Sequence, residues 1–528
     1  MKNSYVLALL SGVLLAMSWP TYGVSLFIFI AFVPLLLVEN SIRTSNVKRK
    51  KRKVLANAYV TFFVWNICTT WWIYYSTAIG MVFAVVVNSL LMALIFLLYH
   101  VVAARVSSKI YYIFLPAIWI AFEKFHLNWD FSWPWLNLGN VFATSTNLIQ
   151  WYEYTGSFGG SLWVWVVNII FFKGLLLYLD KRALKAIQKP LIKGLLFIAV
   201  PVIISLAIKL NYEEKNDPLS AVILQPNIDP YAEKYDMTNT DISRLLIKLA
   251  AKNVDSTTDI IIAPETVFAE NTPLKRYERI MAFYQFRKFL RAYPKAHFLG
   301  GISLYEIVKD ESKITYQSNK LKDGVWYNDF NSAFLLGTDT DSIPLYHKSK
   351  LVVGVENFPY KWLFEPIFGD MMLDLGGTVA MKTTQEDRTP FTTDTYSVAP
   401  VICYESVYGE FVSKYVYNGA EFLAIITNDA WWSDTQGHKQ HLAYACLRAI
   451  ETRRSVIRSA NTGISAIINQ TGEIEKTLPY LAQGAIKGSV NLNKQLTFYV
   501  KYGDYIARIA VFFSVVIFLS AFVRRRNT

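Results

Sequence analysis

Hydrophobic positions are spread unevenly along the chain. Residues 5–19 and 24–38 are uncharged apolar runs, and 54–104 contains no Asp, Glu, Lys or Arg. At about 20 residues per crossing, 54–104 holds two membrane helices. Shorter runs follow at 110–122, 161–179 and 195–208, and a last one at 505–523, with Arg508 near its start. The pattern predicts eight spans, seven before residue 211 and one near the end. Residues 211–501 differ. Short β-rich runs (SAVILQPN, DIIIAPET, HFLGGISL, NSAFLLGT, SVAPVICYE, EFLAIITND, GISAIINQTG, GAIKGSVNL) alternate with helical stretches predicted at 242–253, 273–293 and 437–455. Strands this continuously apolar belong to a sheet covered on both faces or to stacked sheets. The expected domains are therefore 1–210 (seven spans), 211–501 (an α/β domain) and 502–528 (a final span with a basic tail).

Charge refines this picture. The 528 residues are 53% hydrophobic yet 18% charged, with 53 Lys and Arg against 40 Asp and Glu, a net charge of +13. Much of the excess lies between apolar runs: KRKKRK at 48–53, Arg105 and Lys109, five basic residues in 181–193, and RRR at 524–526. With eight spans these loops share one side, which the positive-inside rule makes cytoplasmic. Both termini are then inside and 211–501 outside. KRKKRK would also fit a nucleic-acid signal, but between two spans it is a topology signal, and no nucleic-acid partner is expected. No small-residue cleavage site follows the first run, so it is read as a span. The aromatic stretch 128–160 fits either an interfacial belt or a lipid-facing, re-entrant rim. Three cysteines, at 68, 403 and 446, cannot form a disulfide framework. Cys68 and Cys446 are expected to be small buried hydrophobes.

The chemistry concentrates at three strand ends. Glu265 follows the apolar run of DIIIAPETVF, Lys348 closes PLYHK, and Cys403 ends SVAPVIC. A residue there is held by the sheet and still faces a cleft. A thiol with an ordinary pKa of about 8.5 is mostly protonated near neutrality. A glutamate can take its proton, and an ammonium can stabilise both thiolate and oxyanion. The set needs no histidine, and none of the six (100, 126, 297, 347, 438, 441) has an evident triad setting. No CxxC or clustered His/Cys spacing suggests a metal, and no cofactor is expected.

In order, DIIIAPETVF, LYHKSKL and VICYES resemble the Glu, Lys and Cys motifs of the nitrilase (carbon–nitrogen hydrolase) superfamily, and TNDAWW and RSANTGISAIINQTGEI resemble its later strands. With the eight-span frame, WPWLNLGN and LQPNIDPYAEKYD, the chain resembles the membrane-embedded branch, the apolipoprotein N-acyltransferases. The resemblance implies an αββα sandwich for the outer domain. It also implies Glu265 as general base, Cys403 as nucleophile and Lys348 as the cation beside the tetrahedral intermediate. Lys350 competes for the lysine role, but the Tyr-x-Lys-x-x-Leu pattern aligns Lys348. Glu356 and Glu405 align with supporting glutamates, and the Tyr404 N–H with an oxyanion donor. Val353-Gly354-Val355 replaces the usual Pro-Phe-Gly before Glu356, and Tyr235 stands in place of the family's tryptophan. The implied reaction moves an acyl chain from a phospholipid, through a Cys403 thioester, to the N-terminal amine of a diacylglyceryl apolipoprotein, in a monomer at the bilayer. A membrane-tethered amide hydrolase would use the same triad. A transporter or scaffold with a degenerate outer domain would not need it.

Overall fold

A computed structural model describes residues 4–229, 236–321, 324–338, 342–363 and 380–523. Tyr235 and the terminal arginines lie outside the described residues. The chain divides into two compact units, 1–74 with 78–212 and 502–528, and 75–77 with 213–501.

In the first unit every predicted apolar run is helical: Ser4–Ser18, Ser25–Thr44, Lys50–Thr70, Ala78–Ala103, Ser108–His126, Tyr152–Lys181, Leu184–Asn211 and Tyr505–Val523. Five of these are long and apolar enough to cross a membrane, against the eight expected. Ser4–Ser18 is a shorter apolar helix, Lys50–Thr70 opens on four basic residues, and Ser108–His126 carries Lys109, Glu123, Lys124 and an internal Pro116. Ser25–Thr44 is interrupted near Phe32, where Asn168 repairs the ladder. Its side chain accepts from Phe32 N at 2.9 Å and donates to Ile28 O at 2.8 Å, which matters where no water can replace a backbone partner.

Two expectations change here. The stretch 128–160 is mostly core rather than rim. Trp135, Leu138, Phe142 and Tyr152 are buried, and Trp135 stacks on Trp133 at 5.5 Å and packs against Trp72 at 5.0 Å. Aromatic rings gain most from mutual burial, and the short 3-10 turns over 134–148 fold them inward. Cys68 is exposed, not buried, because it sits on the outer face of Lys50–Thr70 while Trp65, Asn66 and Thr69 take the inner one.

The second unit contains strands β1 (Pro218–Gln225), β2 (Ile260–Ile262), β3 (Phe268–Pro273), β4 (His297–Val308), β5 (Asn319–Lys320), β6 (Trp326–Leu336), β7 (Leu345–His347), β8 (Phe391–Thr392), β9 (Ser397–Ile402), β10 (Phe422–Thr427), β11 (Val456–Ala460), β12 (Ser465–Ile468), β13 (Ile474–Leu478) and β14 (Gly484–Asn491). One sheet runs β14-β1-β2-β4-β6-β5, with β3 beside β4 and β7 beside β6; the other runs β13-β12-β11-β10-β9-β8. β1, β2 and β4 are parallel, as are β9, β10 and β11. Both sets are nearly continuous hydrophobic runs, as strands buried on two faces must be. Helices Asn239–Ala250 and Met281–Leu290 supply Ile242, Leu246, Phe283 and Phe286 to one core, where Phe286 stacks on Phe298 of β4 at 3.8 Å. Gly409–Tyr417 and Gln436–Thr452 pack against the second sheet. The sheets meet through polar ties: Ser459 Oγ donates to Leu224 O at 2.8 Å, and Ser465 Oγ to Gln225 Oε1 at 2.6 Å. This is the nitrilase-like helix–sheet–sheet–helix sandwich.

The helix predicted over 273–293 is shorter. β3 is followed by a 3-10 turn at Leu274–Arg279 and then by Met281–Leu290. Met281–Leu290 carries the buried helical face (Ala282, Phe283, Phe286, Leu290), and no residue of the turn is fully buried.

Candidate functional site

Each of the three strand-end residues is held by a specific backbone device. Beyond β2, Glu265 is followed by Thr266 at φ 42°, a left-handed turn that side chains rarely adopt. Gly301 of β4 lies directly against this turn. A Cβ there would meet Thr266 N at 2.2 Å and Glu265 C at 2.7 Å, so only glycine fits. Lys348 follows β7, and its N–H donates to Asn331 O of β6 at 2.8 Å. Cys403 leaves β9 at φ 49° and opens the 3-10 turn Cys403–Val407. Left-handed geometry at a non-glycine residue is strain that the surroundings must hold.

The side chains converge. Lys348 Nζ lies 2.8 Å from Glu265 Oε1 and 2.8 Å from Glu356 Oε2. Asn331 Nδ2 donates to the same two carboxylates, at 2.8 Å to Glu265 and 3.1 Å to Glu356. Asn428 N donates to Glu265 Oε2 at 3.2 Å, and Val352 N to Glu356 Oε2 at 3.0 Å. Burial opposes the Lys348 charge, but Glu265 and Glu356 outweigh it and hold the ammonium well above its ordinary pKa. Burial likewise opposes the Glu356 charge, and Lys348 outweighs it and holds the carboxyl below the usual range. The Cys403 thiol is pushed far up, first by burial and then by Glu265, with Lys348 opposing. At rest the sulfur therefore carries its proton.

Glu405 ties the cysteine turn to the lysine turn. Its Oε1 accepts from Tyr346 Oη at 2.6 Å and Ser349 N at 2.7 Å, and its Oε2 from Ile402 N at 2.8 Å. Burial pushes its pKa up to about 7 against those hydrogen bonds. Tyr404 is buried and packs edge-on against Tyr408 at 5.3 Å. Lys350 instead lies over the Tyr408 ring, 4.9 Å from its centroid. Glu356 reaches the site from the turn containing Gly354 at φ 80°, so Val353-Gly354-Val355 still presents the carboxylate. Among the described residues, no cluster of three or more His, Cys, Asp or Glu side chains could hold a metal ion.

Sequence reasoning missed Asn331, and it gave no histidine a role at the site. The structure places one close behind the nucleophile. His441 of Gln436–Thr452 is buried behind Cys403, with Nε2 3.2 Å from Cys403 O and Nδ1 3.1 Å from Asp429 Oδ1. Burial raises the Asp429 pKa, but Arg458 and His441 prevail and hold its carboxyl well below the usual range. The signals available were Asp429 inside TNDAWW and Arg458 opening RSANTG, both read only as strand motifs.

With this geometry in view, comparisons with known proteins give concordant results. Residues 11–170 match the family model of the apolipoprotein N-acyltransferase N-terminal domain, and 239–495 that of carbon–nitrogen hydrolase. The chain is similar to the apolipoprotein N-acyltransferase of Chlorobaculum tepidum, with 27% identity covering 100% of this chain and 98% of that one. The Geobacter metallireducens protein of the same name is 27% identical over 99% of this chain and 96% of its own. That of Thermotoga maritima is 24% identical over 99% and 95%.

Proposed function

The chain belongs to the apolipoprotein N-acyltransferase family, and from that premise we propose that it moves an acyl chain from a membrane phospholipid to the N-terminal amine of a diacylglyceryl-cysteine apolipoprotein, through a thioester on Cys403. The observation that carries the mechanism is the Lys348–Glu265 contact at 2.8 Å beside a thiol that both charges act on. Because the resting thiol is protonated, Glu265 takes its proton as sulfur attacks the ester carbonyl. The developing oxyanion is held by the Lys348 ammonium and the Tyr404 N–H. Collapse expels the lysophospholipid alkoxide, which takes the proton back from Glu265. The lipoprotein amine then attacks the thioester, gives its proton to Glu265, and displaces the Cys403 thiolate, which takes that proton back and restores the resting pair. Glu356 shares Lys348 with Glu265 and keeps the ammonium charged. Glu405 holds the two turns in register.

The domain limits 1–210, 211–501 and 502–528, the eight spans, the inner-membrane location with 211–501 outside, cytoplasmic termini and a monomeric state complete this reading. The basic loops support the orientation. Tyr235 joins the supporting set through the family pattern alone.

Intact mass spectrometry after incubation with phospholipid tests the chemistry. An acyl-sized gain on the wild type that is absent in Cys403→Ala, and that a diacylated lipopeptide discharges while gaining the acyl group, is expected. A gain that survives Cys403→Ala refutes the nucleophile. Discharge by water alone, with the lipopeptide untouched, would make the protein an acyl hydrolase.

A further inference from the structure

The carbonyl oxygen of the nucleophile itself has two side-chain partners. Cys403 O accepts from Ser406 Oγ at 2.7 Å and lies 3.2 Å from His441 Nε2, and Ser406 Oγ and His441 Nε2 are 2.9 Å apart. The single hydroxyl proton of Ser406 goes to the carbonyl. Nε2 must then carry a ring proton that faces both oxygens. On the other side of the ring, Nδ1 is 3.1 Å from Asp429 Oδ1 and 3.1 Å from an Arg458 guanidinium nitrogen. Arg458 pairs with Asp429 Oδ2 at 2.5 Å, and Thr427 donates to Asp429 Oδ1 at 2.8 Å. Ser406, Asp429, Arg458 and Thr427 are 0% exposed and His441 1%. A Cβ on Gly463 would meet Asp429 Oδ2 at 2.5 Å, so the chain leaves room for this pair and nothing larger.

The peptide joining Cys403 to Tyr404 explains what such a cluster does. Carbonyl and N–H of a trans peptide point in opposite directions. Anchoring Cys403 O toward His441 and Ser406 aims the Tyr404 N–H away from them and holds the left-handed Cys403 conformation. Hydrogen bonds to a carbonyl also polarise its amide and strengthen the N–H as a donor.

We propose that His441, braced by Asp429 and Arg458, is a positioning residue that with Ser406 fixes and polarises the Cys403–Tyr404 peptide as an oxyanion donor. This rests on the acyl-transfer reading above. His441 does not exchange protons with the thiol; it acts through the backbone of the nucleophile. The proposal separates two reactions of the same sulfur. Acyl transfer passes through an oxyanion, whereas displacement of iodide from iodoacetamide does not.

The test uses the full-length protein in detergent with phospholipid. One arm follows acyl-adduct formation by intact mass, and the other follows Cys403 carbamidomethylation by peptide mass spectrometry. His441→Ala is expected to slow acylation on the order of 10²-fold, comparable to losing one oxyanion donor, while alkylation stays near the wild-type rate. His441→Gln, whose amide can still donate to Cys403 O, is expected to recover most of the rate. Ser406→Ala removes the other donor and is expected to show the same split if His441→Ala does not fold. Acylation at the wild-type rate in His441→Ala, or parallel loss of both reactions with no rescue by glutamine, overturns the proposal. A wild type that forms no adduct on Cys403 refutes the acyl-transfer reading instead, and the two failures are distinct.

Discussion

Lys348→Met removes the one cation between two buried carboxylates. Lys348 is 2% exposed, with Glu265 at 7% and Glu356 at 12%, and both oxygens lie at 2.8 Å from Nζ. Removing one partner of a buried pair costs about 3–5 kcal/mol, because the other charge is left uncompensated. At about 2–4 °C per kcal/mol for a domain of this size class, the unfolding temperature falls by about 6–20 °C. The pH dependence gives a sharper signature. In the wild type the folded-state pKa of Glu356 is depressed. Its contribution is present above the unfolded value of about 4.3 and is lost only as pH falls through the lower folded value. In the variant, two carboxylates share a site without a cation, so one of them is raised above about 4.3. The folded state then takes up a proton first, and the variant regains stability as pH falls from about 8 to about 5. A thiol-reactive fluorophore can follow unfolding through the buried Cys403 and Cys446, in a Cys68→Ser background because Cys68 is exposed. An unchanged unfolding temperature, or a deficit that stays constant or grows toward low pH, refutes the electrostatic account of this trio.

Glu405, with a pKa pushed up to about 7, sets an acid limb on thioester formation. Protonating it deprives Ile402 N or Ser349 N of an acceptor. Since the folded value exceeds the unfolded one, stability is not lost across that window and only the rate falls; Glu405→Gln is expected to give a low rate without that limb, measured by adduct formation against pH. Gly301→Ala forces a Cβ to within 2.2 Å of Thr266 N. The Glu265 turn must move, and adduct formation is expected to drop at least about 10²-fold, since a misplacement of about 1 Å costs that much; a wild-type rate would show the turn to be free to adapt. Asn331→Asp replaces the amide that donates to Glu265 and Glu356 with a third carboxylate. It is expected to lower the unfolding temperature and the adduct rate together, with partial recovery at low pH, whereas Asn331→Ser shows a smaller pH-independent loss.

Local pattern was sufficient for much of this protein. Each apolar run became a helix, and each of the β-rich runs became a strand of one of the two sheets, because an apolar pattern is legible within a few neighbouring residues. The reactive residues could be located from their strand-end positions, a property of the adjacent chain. Pairing could not be read in the same way. Glu265 and Lys348 are 83 positions apart, and only the adjacency of β2, β4 and β6 brings β7 and its lysine to the glutamate. Asn331 looked like an ordinary strand residue. His441 looked like one of several helix residues until β10, β11 and Gln436–Thr452 set it against Asp429, Arg458 and the carbonyl of Cys403. The inward folding of the aromatic stretch and the exposure of Cys68 were likewise decided by packing. Sequence alone determined which segments are apolar, which strands end in reactive groups, and which family motifs they follow. Tertiary structure alone decided which charges meet, because hydrogen bonds and ion pairs act over a few ångströms of space, and a linear order of residues does not contain that distance.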